Sequence, residues 1–173
     1  MLGIFKSTLY PMLRITRSSS LIRPASRHFL SNMGAPLILC GRTEDIGRGV
    51  IATLKPEYDV IHFVMSPDSG TVQIPAILKG EQSPPSESAL GSKDYSKPPI
   101  AVILGGAFDD AGIETMMKAS EGTRHIPWLR PDLTKPAPPL GPEYGKALVA
   151  RIKVLLAQLE KEGKLSEERI HWY

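Results

Sequence analysis

Several groups of residues in this chain have the types and spacing that binding or catalysis requires. Two glycine turns follow apolar runs: Gly41 and Gly47 in CGRTEDIG (40–47), and Gly105 and Gly106 in GGAFDD (105–110). Glycine lets backbone amides come close to an anion, and a helix starting there adds the positive end of its dipole. Arg42 supplies a cation able to clamp a phosphate. Glu44 and Asp45 suit the helix dipole but compete with a phosphate for the same amides. Asp109 and Asp110 can orient a ligand or take a proton, although N-capping a helix needs one aspartate and no ligand. Trp128, Arg130 and Asp132 in HIPWLRPD can line an anion pocket with Trp128 as its wall, or Arg130 and Asp132 can simply pair with each other. Cys40 is a nucleophile only if a base lowers its pKa, and nothing local ties His62 or His125 to it, so a buried inert thiol is expected.

These side chains need elements to hold them. PLILC (36–40) is an apolar run ending at Gly41, as in a buried strand. Thr43 or Asp45 can cap a helix from about Ile46 to Lys55, with Ile46, Val50 and Leu54 on one face and Pro56 as its stop. YDVIHFVM (58–65) and IAVILGG (100–106) read as further buried strands, and HIPWL (125–129) as a fourth, shorter one. TVQIPAIL (71–78) reads as a short strand or a broken helix, because Pro75 sits in its middle. Residues 79–99 are dense in Ser, Pro, Gly and charge, which predicts a flexible surface loop. A helix carrying Ile113, Met116 and Met117 follows Asp109–Asp110. The last helix, from Pro142 to about Gly163, carries the stripe Leu148, Ile152, Leu155 and Leu159, which reads as core packing.

Alternating buried strands and helices predict an α/β domain over residues 34–173: a small open parallel sheet of about four strands, order 2-1-3-4, with helices on both faces in a Rossmann-like three-layer sandwich. In such a sheet the ligand crevice lies where the strand order reverses, at the carboxyl ends of the first and third strands. The two glycine turns meet there, so Gly41, Arg42, Ile46, Gly47, Gly105 and Gly106 are the expected binding residues.

The stretch LILCGRTEDIGRGVIATL resembles the first strand, turn and helix of the short-chain dehydrogenase/reductase family, with its pattern Thr-Gly-x-x-x-Gly-Ile-Gly. Gly41, Ile46 and Gly47 match that pattern in type and spacing over about thirty residues of shared layout. The resemblance implies a nicotinamide cofactor, NAD or NADP, and an oxidoreductase-related role. The chain departs from the family at three places. Asp45 replaces the middle glycine. No acid stands at the end of the second strand to hold a ribose, where VMSPDSG leaves Asp68 displaced and Ser66 weaker. The catalytic Tyr-x-x-x-Lys pair is also missing: Tyr95–Lys97 and Tyr144–Lys146 are spaced by two. No catalytic set can be assembled.

Bulk composition narrows the classes further. The 173 residues are 42% hydrophobic and 23% charged, ordinary for one globular domain. With 6% aromatic residues, a base-stacking nucleic-acid surface is not expected. One cysteine excludes an internal disulfide, and His28, His62, His125 and His171 lack metal-ligand spacing, so no metal is expected. No apolar run is long enough to span a bilayer. The net charge of +3 belongs to the leader: residues 1–33 hold Lys6, Arg14, Arg17, Arg23 and Arg27 and no acid, which leaves 16 basic and 18 acidic side chains elsewhere.

That leader is Arg- and Ser-rich, places Leu2, Phe5, Leu9 and Leu13 at helical spacing despite Pro11, and reads as a mitochondrial-type transit peptide with RHFLS (27–31) near its cleavage site. A mitochondrial matrix protein is then expected. If translation starts at Met33 instead, the address is cytoplasmic. Beside an enzyme that uses Asp109 or Asp110 without a nucleotide, two main functions remain open. One is a Rossmann-like protein binding a dinucleotide or similar anionic ligand between residues 41–47 and 105–110. The other is a non-catalytic protein-interaction module using residues 79–99 and 131–142, in which Glu44 and Asp45 close the turn and no pocket forms.

Overall fold

A computed structural model describes residues 34–139 and 141–173; the expected transit peptide at 1–33 lies outside the described residues. Apolar runs form the strands. β1 (Ala35–Cys40) is buried along its whole length, as are β3 (Ala101–Leu104) and nearly all of β2 (Tyr58–Val64). β4 (Trp128–Arg130) and β5 (Ile170–Trp172) are short. All pairings are parallel, in the order β2-β1-β3-β4-β5. The expected 2-1-3-4 order is present, with β5 added at the edge. β4 begins three residues later than HIPWL suggests.

Among the described residues four helices cover the sheet. α1 (Glu44–Leu54) buries Gly47, Val50 and Leu54. α2 (Pro67–Leu78) is a helix through the stretch that also allowed a strand. A capping box between Ser66 and Ser69 and Pro67 at its first turn start it, and Pro75 sits inside it without breaking it. α3 (Asp110–Ala119) and α4 (Pro142–Lys161) complete the set. Leu37, Leu39, Phe63 and Ile103 pack with α1 and α4 on one face. Ile38, Cys40, Val102 and Leu104 pack with α2 and α3 on the other. This is the expected Rossmann-like sandwich.

The β5 edge has an unusual connection. The steps β1→β2 and β4→β5 run in opposite directions along the sheet, yet α1 and α4 share one face. The two crossovers therefore have opposite hands, one of them against the strong right-handed preference. The proline-rich connection 131–141 separates β4 from α4, so no tight turn imposes the usual hand there.

Residues 79–99 contain no helix or strand, but they are tied down. Ser92 and Lys93 donate backbone N–H bonds to the Val60 and Ile61 carbonyls at 2.9 and 3.1 Å, covering the free edge of β2. The Lys93 ammonium bonds Ser86 Oγ at 2.8 Å and the Ser88 carbonyl at 2.9 Å. Tyr95 reaches His62 beneath.

Candidate functional site

A cavity of about 420 Å³ opens at the carboxyl ends of β1 and β3. All six residues expected to bind a ligand (Gly41, Arg42, Ile46, Gly47, Gly105 and Gly106) lie on its wall. Its floor is apolar, from Leu39, Phe63, Ile103 and Ile152, and its outer wall is Tyr144 and Leu148 of α4 with Leu133 of the proline-rich connection. Ile46 and Leu133 stay 57% and 68% exposed at this cavity, which leaves two large apolar side chains without cover.

The glycines divide by what a side chain would meet. A Cβ on Gly47 would lie 2.7 Å from the Phe63 ring, and one on Gly41 3.2 Å from it, so both serve the packing of α1 on β2. A Cβ on Gly105 would meet the Cys40 carbonyl oxygen at 2.9 Å. The amides of Gly41 and Gly105 are already bonded, to the Val64 carbonyl at 2.9 Å and the Cys40 carbonyl at 2.8 Å. Neither is free for a ligand. Donors remain in the first turn of α1. Thr43 holds the N-cap position with extended backbone but makes no capping bond, so the first-turn amides lack that partner.

The two acids at this turn do not close it. Glu44 turns away from the cavity: its carboxylate accepts from Ser88 Oγ at 2.5 Å and pairs with Arg48 at 3.1 Å. Asp45 has a side chain 99% exposed, with only a long contact of 4.0 Å to Arg48. The pocket that the interaction-module reading excluded is therefore present.

Other expected candidates fall elsewhere. Trp128 is buried in the core and forms no pocket wall. Arg130 does not pair with Asp132; it pairs with Asp110 and lies 4.8 Å over the Trp172 ring, because β5 brings Trp172 alongside. Asp132 instead accepts from Thr134 Oγ1 at 2.6 Å. Asp109 caps α3 by accepting from the Gly112 N–H at 2.9 Å. Ser66 is engaged as the cap of α2, and Asp68 is exposed in its first turn. Cys40 lines the cavity but is fully buried, and burial pushes its thiol pKa up, away from nucleophilic chemistry. Among the described residues no histidine serves it: His62 Nδ1 lies 2.7 Å from Tyr95 Oη and Nε2 2.9 Å from Gln73 Oε1. Gln73 Oε1 only accepts, so Nε2 carries the proton and Tyr95 donates to Nδ1.

Two tyrosines on the cavity lie outside the expected binding set. Tyr144, named above only for its spacing to Lys146, stands on the wall. Tyr173 is buried, lines the cavity, and donates its hydroxyl to the Leu104 carbonyl at 2.8 Å. Burial raises its pKa and keeps the phenol neutral. Tyr173 arrives only because β5 pairs beside β4, which no local pattern announces. Among the described residues no group of histidines, cysteines and acids is placed to hold a metal, and no helix is long and apolar enough to cross a membrane.

Over 143 residues the chain is 36% identical to Kojic acid related protein 6 of Aspergillus oryzae strain ATCC 42149 / RIB 40, covering 80% of this chain and 86% of that protein. The chain belongs to that protein's family. No family model and no solved structure matches it.

Proposed function

We propose that this protein binds an anionic small molecule, of nucleotide or similar class, in the β1/β3 crevice. The observation that carries this reading is the cavity of about 420 Å³ at the point where the strand order reverses, with uncovered Ile46 and Leu133 beside it. The anionic group is placed at Arg42 and the uncapped first turn of α1, and the body of the ligand between Gly105–Ala107 and Tyr144. The resemblance of residues 37–54 to short-chain dehydrogenases supports NAD or NADP as the first ligands to try, and an oxidoreductase-related role. In that role the chain supplies a binding site and not a Tyr–Lys pair. The relative's name connects that protein with kojic acid, a small oxygen heterocycle, which makes kojic acid a further ligand to test.

The test is two-dimensional NMR of the full chain against NADH, NADPH, nicotinamide mononucleotide and kojic acid. Saturable shifts at residues 41–47 and 105–107, lost in Ala107→Trp, are expected for at least one of them. Absence of such shifts for the whole set would overturn the reading for this ligand class.

A further inference from the structure

A dinucleotide laid across a doubly wound sheet uses both halves of the crevice. Its adenosine ribose is held by an acid at the end of the second strand, roughly 20 residues after the glycine turn. In this protein the β2 half is already occupied by the chain itself. The Glu87 carboxylate accepts the N–H of Met65, the first residue beyond β2, at 2.8 Å, and the Ser69 hydroxyl at 2.5 Å. The next residue, Ser88, is buried and bonds Glu44 on α1 at 2.5 Å. Leu90 presses on the same helix, so that a Cβ on Gly47 would lie 3.1 Å from its Cδ1. Gly91, with φ +95°, brings the backbone so close to β2 that a Cβ would sit 2.7 Å from the Ile61 carbonyl oxygen. Residues 87–93 thus run from the free edge of β2, over its carboxyl end, to the first turn of α1. None of them lines the cavity, whose wall on this side is Phe63 and Gly47.

We propose that the crevice is a half-site. It takes one compact, ring-bearing anion of mononucleotide size or smaller, and residues 87–93 stand where the adenosine half of a dinucleotide would lie. A volume of about 420 Å³ suits one such ligand, near the lower end of small-molecule pockets. The Glu87 oxygen at the end of β2 is already engaged by the Met65 amide and the Ser69 hydroxyl, so it is not free to take a ribose hydroxyl. The proposal rests on the ligand reading above and narrows it.

Calorimetry on the full chain, with reduced nicotinamide mononucleotide and NADH as probes, tests it. The expected result is an NADH Kd no more than about twofold tighter than that of the mononucleotide. In the Glu87→Ala/Leu90→Ala variant, NADH is expected to gain about tenfold relative to the mononucleotide. Wild-type NADH binding tenfold tighter, about 1.4 kcal/mol, would overturn the half-site while leaving the ligand reading standing. An unchanged ratio in a folded variant would overturn the role of residues 87–93. Failure of both probes to bind would overturn the nucleotide reading and the half-site with it.

Discussion

The two halves of the crevice share β1, its turn and α1, yet they end in opposite states. On the β3 side the chain leaves open space and exposed apolar side chains. On the β2 side it fills the space with its own carboxylate, hydroxyl and leucine. Phe63 stands between them, with its ring against Gly41 and Gly47. The difference shows that a glycine turn at a strand–helix junction can be kept for packing on one side while a cavity persists on the other.

Substitutions in each half can break or sharpen this contrast. The largest expected effect is Phe63→Ala. It removes a fully buried ring that walls both halves and should lower unfolding free energy in urea by about 3–5 kcal/mol. Next comes a matched pair. Gly91→Ala in the filled half forces a positive φ on alanine and a clash with the Ile61 carbonyl, for a loss of about 2–3 kcal/mol. Gly106→Ala in the open half places its Cβ 3.4 Å from Leu133 Cδ2, and its urea midpoint should shift by less than about 0.5 kcal/mol equivalent. Equal losses at the two glycines would remove the contrast.

The filled half should also respond to pH. Burial lowers the His62 pKa below its usual value of 6.5, and its ring holds Tyr95 of the overlying segment. The unfolded chain then binds the proton more readily, so stability is complete above about pH 6.5 and falls as pH drops toward the folded pKa. His171 shifts the same way through burial. Urea midpoints between pH 7.5 and 5 should therefore fall in the wild type and fall less in His62→Gln, with the His171 share remaining. Identical slopes would show that His62 does not hold the segment through its neutral form.

The smallest effects belong to the mouth of the open half. Arg42→Ala and Asp45→Asn alter exposed side chains and should change stability by less than about 0.5 kcal/mol. Their effects on an anionic ligand should have opposite signs, roughly two- to fivefold weaker for the first and tighter for the second, both shrinking with added salt. Calorimetry at two ionic strengths reads this directly. Effects of one sign would place the anion elsewhere.

The sequence by itself determined the strands β1 to β3, the amphipathic α1 and α4, the Asp109 cap and the junction where the two glycine turns meet. Continuous apolar runs, helical periodicity and cap residues are local signals, and the order 2-1-3-4 is the arrangement of α/β layers that they fit. Tertiary structure alone decided β5, the opposite-handed crossover before it, and therefore Tyr173 in the cavity and Trp172 on Arg130. It also decided where residues 87–93 lie. Three-residue strands carry too little pattern to be read, and a Ser/Pro/Gly-rich segment carries no period at all. Their positions come from carbonyls left unpaired on the β2 edge, from an amide beyond its end, and from apolar surface beside Gly47. Those partners exist only after the sheet has formed.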